Sequence, residues 1–327
     1  MTSYLKSLAR KSKTAIILFK IFDNWRISRR VNSGGIETLH GSTHLNYSLQ
    51  DSVAYIEKQF KEYLDYAELS DDALVDKKVI ELGPGDNLGI ALRFLSAGAR
   101  CVICVDRFFS KRDPDCEREI YSALRKKLSK VERSRFDEAV SLGQGIRLNP
   151  DRLQLVHGRT LEGMVDTLDS HGAFDFIVSC AVLEEIYDLN RTFEAMDKLL
   201  APSGYLIHKV DLTDYGMFRN QGMHPLTFLT ISESLYRRMA SDSGLPNRER
   251  LGFYIKKMKE FGYDARFFVT STISRGRIEP AQEYLMGAFT DRGDLDLYRS
   301  RLAKSFRHVT SDELNIDGIL MVARKPA

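Results

Sequence analysis

The sequence predicts an α/β protein: a doubly wound, seven-stranded, mostly parallel sheet with an N-terminal helical extension and helical insertions. Three observations predict it. A short apolar run at 79–82 is followed by a glycine turn, a helical stretch at 88–97 and a second apolar run at 101–105 ending in Asp106. That order is a βαβ unit, which requires a parallel sheet. Further apolar runs at 153–157, 174–179, 205–210, 265–272 and 318–324 are interspersed with stretches of helical periodicity. Hydrophobic residues make up 43% and charged residues 28% of the 327-residue chain, the balance of a packed globular core.

The elements follow in order. Residues 1–50 read as a basic amphipathic extension and a lid loop, and 51–327 as one α/β domain with insertions at about 107–150 and 213–262. The extension carries Lys6, Arg10, Lys11, Lys13, Lys20, Arg26, Arg29 and Arg30 against Asp23 alone, interleaved with Leu5, Leu8, Ile16, Ile17, Phe19, Phe22, Trp25 and Ile27. Two readings stand: a basic helix packed on the body, or an interfacial helix on anionic lipid. The apolar run at 15–19 is far short of the roughly 20 residues a membrane span needs. The Gly-, Ser- and His-rich stretch at 31–50, with His40, His44 and Tyr47, reads as an irregular loop able to fold over a ligand.

A helix is expected from Asp51 as N-cap, with Val53, Ile56, Phe60 and Leu64 on its buried face. Gly98 closes the helix at 88–97. A charged helix spans 116–140, and helices are expected at 189–200, 228–241, 248–261 and about 295–306. The stretch 201–204, Ala-Pro-Ser-Gly, breaks the chain before the strand at 205–210. The last two strands are expected to form the edge hairpin of the sheet.

The first turn, Glu81-Leu82-Gly83-Pro84-Gly85-Asp86-Asn87, carries the chemistry. Glycines at a strand end let a ligand approach the backbone, and the next helix offers free N–H groups. In open α/β sheets ligands bind beyond the carboxyl ends of the strands. Asp106, ending the next strand, is an acid placed to accept both hydroxyls of a ribose. A dinucleotide site calls for a third glycine where Leu88 stands, and Asp86 would repel a pyrophosphate. Glu81 suits a ligand with a cationic amino group.

These residues resemble the motifs of class I S-adenosylmethionine-dependent methyltransferases. The turn at 81–87 looks like the family's cofactor motif, Asp106 like its ribose acid, 174–179 with Leu183-Glu184-Glu185-Ile186 like its fourth strand and following helix, and 199–206 like the turn into its fifth strand. The resemblance implies a Rossmann-like methyltransferase fold over about 75–212 and S-adenosylmethionine as cofactor. It places Glu81, Gly83 and Gly85 on the methionine part, Asp106 on the ribose, Arg107 beside the adenine, and Asn87, Arg159 and Thr160 nearby. Three departures stand out: Arg159 where an acid is common, Glu184-Glu185 where Glu-His is common, and a long 106–159 connection placed near the acceptor pocket. His208-Lys-Val-Asp211-Leu, His224-Pro225-Leu, Asn247-Arg248, Gly34-Gly35-Ile36-Glu37 and Gly41-Ser42-Thr43-His44 are also similar to a bacterial group linked with surface-polysaccharide synthesis.

Methyl transfer from an activated sulfonium asks mainly for alignment, and a hydroxyl acceptor also gains from a base. The candidate bases are His208, Asp211 and His224; His44, Tyr47 and Glu184 are candidate acceptor contacts. The expected reaction is O-methylation of a sugar hydroxyl on a glycan or glycolipid precursor, with a small-metabolite acceptor or a non-catalytic binding role as alternatives. No metal is expected: Cys101 and Cys104 lie within one apolar strand, on opposite faces. Lys plus Arg is 48 and Asp plus Glu is 45, a net charge of +3 that gives no footing for a nucleic-acid partner. Four cysteines fit a reducing compartment. Hence the chain is expected to be cytoplasmic, with residues 1–30 as its contact with anionic membrane on the lipid reading.

Overall fold

The computed structural model describes residues 12–32, 37–38, 43–143, 145–165, 173–291 and 294–327. The expected contributions of Leu5, Lys6, Leu8, Arg10, Lys11, His40 and the 33–36 and 39–42 motifs lie outside the described residues. The central sheet is built from β1 (Lys78–Leu82), β2 (Cys101–Asp106), β3 (Leu153–His157), β4 (Phe174–Cys180), β5 (Leu200–Asp211), β6 (Asp264–Thr272), β7 (Gly276–Glu283) and β8 (Ile316–Arg324). Its order is β7-β6-β8-β5-β4-β1-β2-β3. Strands β3, β2, β1, β4 and β5 run parallel; β8 lies antiparallel between β5 and β6, and β7 pairs antiparallel with β6.

Among the described residues the sheet therefore has eight strands rather than the expected seven, and β7 takes the outer edge. The strands at 264–272 and 316–324 do pair antiparallel, but inside that edge. Strand β7, Gly-Arg-Ile-Glu-Pro-Ala-Gln-Glu, is mostly exposed, which is why no apolar run marks it. Pro280 and the charges on it suit an edge that must not recruit another strand.

The helices of two turns or more among the described residues are α1 (Lys13–Asn32), α2 (Leu49–Tyr66), α3 (Gly89–Ala97), α4 (Pro114–Lys127), α5 (Lys130–Ala139), α6 (Leu189–Leu199), α7 (Glu233–Ala240) and α8 (Leu251–Glu260). Alternate residues of each parallel strand face opposite layers, so both faces are apolar. Val79, Val102, Cys104, Phe176, Val178 and Ile207 pack with α2, α3, α4 and α5. Ile80, Leu82, Ile103, Val105, Ile177 and Leu206 pack with α6 and α8. A third cluster joins Phe218, Phe228, Tyr236 and Met239, with Ile16, Ile17 and Ile21 of α1 against it.

Several boundaries differ from expectation for local reasons. Ser48, not Asp51, caps α2, its hydroxyl accepting the Asp51 N–H (3.1 Å). The charged stretch at 116–140 is two helices, because Ser129 and Glu132 form a capping box that starts α5. The 228–241 stretch is a short helical turn (Pro225–Thr230) and then α7. At 295–306 stand a short helix (Asp294–Tyr298) and two single turns, Arg299–Arg301 and Lys304–Phe306. Strand β5 begins at Leu200, running through the expected break with Ser203 at φ +60°.

Candidate functional site

The sheet order reverses between β1 and β4, and a crevice opens there beyond the strand ends. Two cavities occupy this end of the molecule. The first, of about 430 Å³, is lined by Gly83 and Gly85 after β1, Asp106, Arg107 and Phe108 after β2, Arg159–Glu162 after β3, and Ala181, Val182, Glu185, Ile186 and Tyr187 after β4. The second, of about 1080 Å³, lies between α2 and the ends of β4, β5, β6, β7 and β8. Both are lined by Ala181, which holds φ +55° without being glycine. A strained residue at the junction of two cavities is where functional geometry is often concentrated.

The first cavity exists because of its glycines. Gly83 and Gly85 have φ +64° and +66°. A Cβ on Gly83 would stand 2.4 Å from Val182 Cγ2. The late glycine, Gly89, does a different job: a Cβ there would meet Ile56 Cδ1 at 2.3 Å, so it lets α3 pack against α2.

Asp106 accepts the Phe108 N–H at 2.9 Å, and burial raises its pKa against the pull of that bond, the Gly85 N–H and Arg112. Arg107, Arg159 and Thr160 line the same cavity, and the Arg107 guanidinium donates to Asp242 (3.4 Å). Glu81 and Asn87 do not line it. Glu81 is buried, accepts from the Cys104 thiol (3.5 Å), and burial pushes its pKa up to about 7. Asn87 turns its Oδ1 onto the Gly89 N–H (2.7 Å) at the start of α3, while its buried Nδ2 has no partner among the described residues.

Asp86 has a role of its own. Its carboxylate accepts the N–H groups of His44 (3.3 Å) and Leu45 (3.0 Å), tying the 43–47 segment to the glycine turn. The His44 ring then meets Tyr47 and Tyr55 edge-on, and burial lowers its pKa. Tyr47 and Tyr55 line the second cavity with Lys58, Lys61, Glu62, Tyr66, Lys209, Asp211 and Asp317; His44 packs behind them. Lys209 Nζ donates to Glu62 (2.6 Å), and Tyr55 Oη lies 3.5 Å from Cys180 Sγ.

The candidate bases separate. Asp211 lines the second cavity at the end of β5, accepts the Thr213 N–H (2.8 Å), and burial with Asp317 and Asp214 nearby raises its pKa. His208 lines neither cavity. It is fully buried within β5, its Nδ1 is 2.7 Å from Ser179 Oγ, its Nε2 has no partner among the described residues, and burial pushes its pKa down to about 3. Its side chain faces the layer opposite the cavity chemistry of its neighbours, an outcome residue type alone does not show. His224 is a cap: Nδ1 accepts the Leu226 N–H (3.1 Å) and the ring stacks on Tyr298 at 3.9 Å.

Glu184 also lines neither cavity; its Oε1 accepts the Asp211 N–H (3.1 Å) and the Tyr215 hydroxyl (2.9 Å), and burial raises its pKa well above the usual range. Glu185, one residue on, lines the first cavity, with a pKa pushed by burial up to about 7. Nothing in a Glu-Glu pair says which acid faces the ligand. The sequence reading also missed Ala181, Tyr187, Tyr55 and Lys209. Only Tyr55 and Lys209 left a trace, through their place on α2 and β5. The 107–150 insertion borders the first cavity through Arg107, Phe108 and Ser110 and does not reach the second; α4 and α5 pack on α2 and α3, with Tyr121 and Phe136 buried among them, and the Tyr121 hydroxyl accepts the Leu88 N–H (2.9 Å). Among the described residues no group of three or more His, Cys, Asp or Glu is arranged to hold a metal.

A family model described as a methyltransferase domain matches residues 54–262, more than half of the chain. No curated protein matches. Among solved structures, phosphoethanolamine N-methyltransferase 2 of Haemonchus contortus, in complex with S-adenosyl-L-methionine, is 17% identical with a TM-score of 0.43, over 83% of this chain and 53% of its own. This chain thus spans about half the length of that neighbour. An S-adenosylmethionine-dependent methyltransferase from Mesorhizobium loti is 15% identical with a TM-score of 0.39, over 80% of this chain and 95% of its own. One from Methanosarcina mazei is 13% identical with a TM-score of 0.41, over 80% and 97%.

Proposed function

Since the chain belongs to the methyltransferase domain family, we propose that it transfers a methyl group from S-adenosylmethionine to a sugar hydroxyl of a glycan or glycolipid precursor. The observation that carries the reading is the pair of cavities sharing Ala181, one shaped by glycines and closed by an acid, the other broad and lined by tyrosines and carboxylates. The first fits the cofactor: Gly83 leaves open the space where a Cβ would strike Val182, Gly85 lines the same wall at positive φ, and Asp106 is placed for ribose hydroxyls. Arg107, Arg159, Thr160 and Glu185 surround the remainder. The cofactor supplies an activated methyl group.

The chain's own residues align and deprotonate. Asp211 takes the proton of the acceptor hydroxyl, because it alone of the three candidate bases lines the acceptor cavity. Tyr47, Tyr55 and Tyr66 give that cavity flat apolar walls, and Glu62, Asp65 and Asp317 give it acceptors for hydroxyls. The 43–47 segment, held by Asp86, closes one side. A polyhydroxylated acceptor suits both features and the large volume. A compact metabolite would leave much of it unused, and remains the second reading. Incubating the chain with labelled S-adenosylmethionine and fractionated cell-envelope precursors tests the proposal. Label is expected in a saccharide fraction; label only in small metabolites would replace the acceptor, and no binding of S-adenosylhomocysteine would end the reading.

A further inference from the structure

We propose that the outer face of α1 docks on an anionic lipid surface, an inference independent of which acceptor is methylated. The helix has two unlike faces. Ile16, Ile17 and Ile21 pack against the cluster around Phe218 and Tyr236. Asn24, buried, donates to Ser241 Oγ (3.2 Å) and accepts the Asp242 N–H (2.8 Å). Lys13 Nζ donates to the Thr230 hydroxyl. The helix is therefore fixed on the body, as the packed reading expects, and its other face is fully formed.

That other face is apolar and basic together. Leu18, Phe19, Phe22 and Trp25 are 62%, 61%, 59% and 48% exposed. Leu18, Phe22, Trp25 and Arg29 follow the spacing of a single helical stripe. Phe22 and Trp25 rings are 5.8 Å apart, and the Arg29 guanidinium sits 4.2 Å over the Trp25 ring. Arg26, Arg29 and Arg30 are exposed beside them. The helix holds one acid, Asp23, which is paired with Arg26 at 2.8 Å. Adjacent large apolar side chains with a cationic border are what an interfacial helix presents: the rings enter the acyl boundary while guanidinium groups meet lipid phosphates. A protein partner would need an acidic rim around an apolar groove; an anionic bilayer offers both over any area. Docking here sets the bilayer beside the first cavity, since Asp242, held by Asn24, also accepts from Arg107 in its lining.

The chain contains one tryptophan, so its emission reports on Trp25. The 327-residue chain is titrated with phosphatidylglycerol and with phosphatidylcholine vesicles, at low and at physiological salt. Phosphatidylglycerol is expected to shift the emission to the blue and brominated acyl chains to quench it, with phosphatidylcholine inert. Arg26→Gln and Arg29→Gln should each weaken binding about fivefold. Leu18→Ser with Phe22→Ser should abolish it while leaving S-adenosylhomocysteine affinity and melting temperature unchanged. An unmoved emission with phosphatidylglycerol at low salt overturns the proposal. So does vesicle binding that survives the double substitution. A concentration-dependent blue shift without lipid, accompanied by a dimer on sizing, would assign the face to a second copy and overturn it as well.

Discussion

The two cavities are built by different means. The first is shaped by backbone: Gly83 and Gly85 at positive φ, Ala181 at φ +55°, and a strand end that delivers Asp106. The second is shaped by side chains from α2, the ends of β4 and β5, the β6–β7 hairpin and β8, which span the chain from Tyr47 to Gly318. A backbone-built site tolerates little, because a single Cβ fills it. A side-chain-built site can be altered residue by residue, which is how one fold comes to serve many acceptors.

The sharpest test of that contrast is Gly83→Val. The new side chain meets Val182 and must hold φ +64°. Positive φ and overpacking each cost about 1–3 kcal/mol. S-adenosylhomocysteine binding by calorimetry is expected to fall about a thousandfold on that basis. If affinity is unchanged, the first cavity is not the cofactor site. Next is Asp211→Asn. Loss of the base should lower kcat about a hundredfold with cofactor affinity unchanged. In the wild type the base must be ionised, and its pKa is raised; activity therefore rises with pH through that pKa, and the variant should lose this limb. Asp106→Ala follows, with S-adenosylhomocysteine affinity down about thirtyfold through lost charge-assisted hydrogen bonds and kcat at saturating cofactor nearly intact.

The same contrast explains what could be read in advance. The parallel sheet, the glycine turn and Asp106 are contiguous and conformationally demanding, so residue type and spacing reveal them. Gly83, Gly85 and Asp106 are legible for that reason, whereas Arg107, Arg159 and Thr160 come only through the family resemblance; all six line one cavity. The acceptor cavity depends on which way each side chain faces. His208 and Asp211 are close in sequence, yet one is sealed beneath the sheet and the other opens into the cavity. Glu184 and Glu185 differ in the same way. Strand β7 escaped notice because edge strands carry polar residues on both faces.

His208 offers the smallest effect on turnover and the clearest on stability. Its ring is fully buried and Nε2 has no partner among the described residues, so protonation would bury a poorly compensated charge. Its folded pKa is depressed from 6.5 to about 3. Between those values the unfolded chain binds a proton that the native chain does not, so this group's contribution is present above about pH 6.5 and is lost as pH falls. Glu81 and Glu185 act oppositely, each raised from 4.5 to about 7, and their contribution is lost as pH rises through that window. The two trends overlap in wild type, so the difference between variant and wild type isolates the histidine. His208→Gln should keep kcat within about twofold, since the side chain reaches neither cavity. At pH 8 it should melt lower, having disturbed the bond to Ser179, worth about 1 kcal/mol. Towards about pH 4 the gap should close and reverse, because wild type alone loses on the order of 3 kcal/mol there. Urea unfolding at the two pH values measures this directly. A variant with unchanged pH dependence and a hundredfold lower kcat would return His208 to the reaction and take Asp211 out of it.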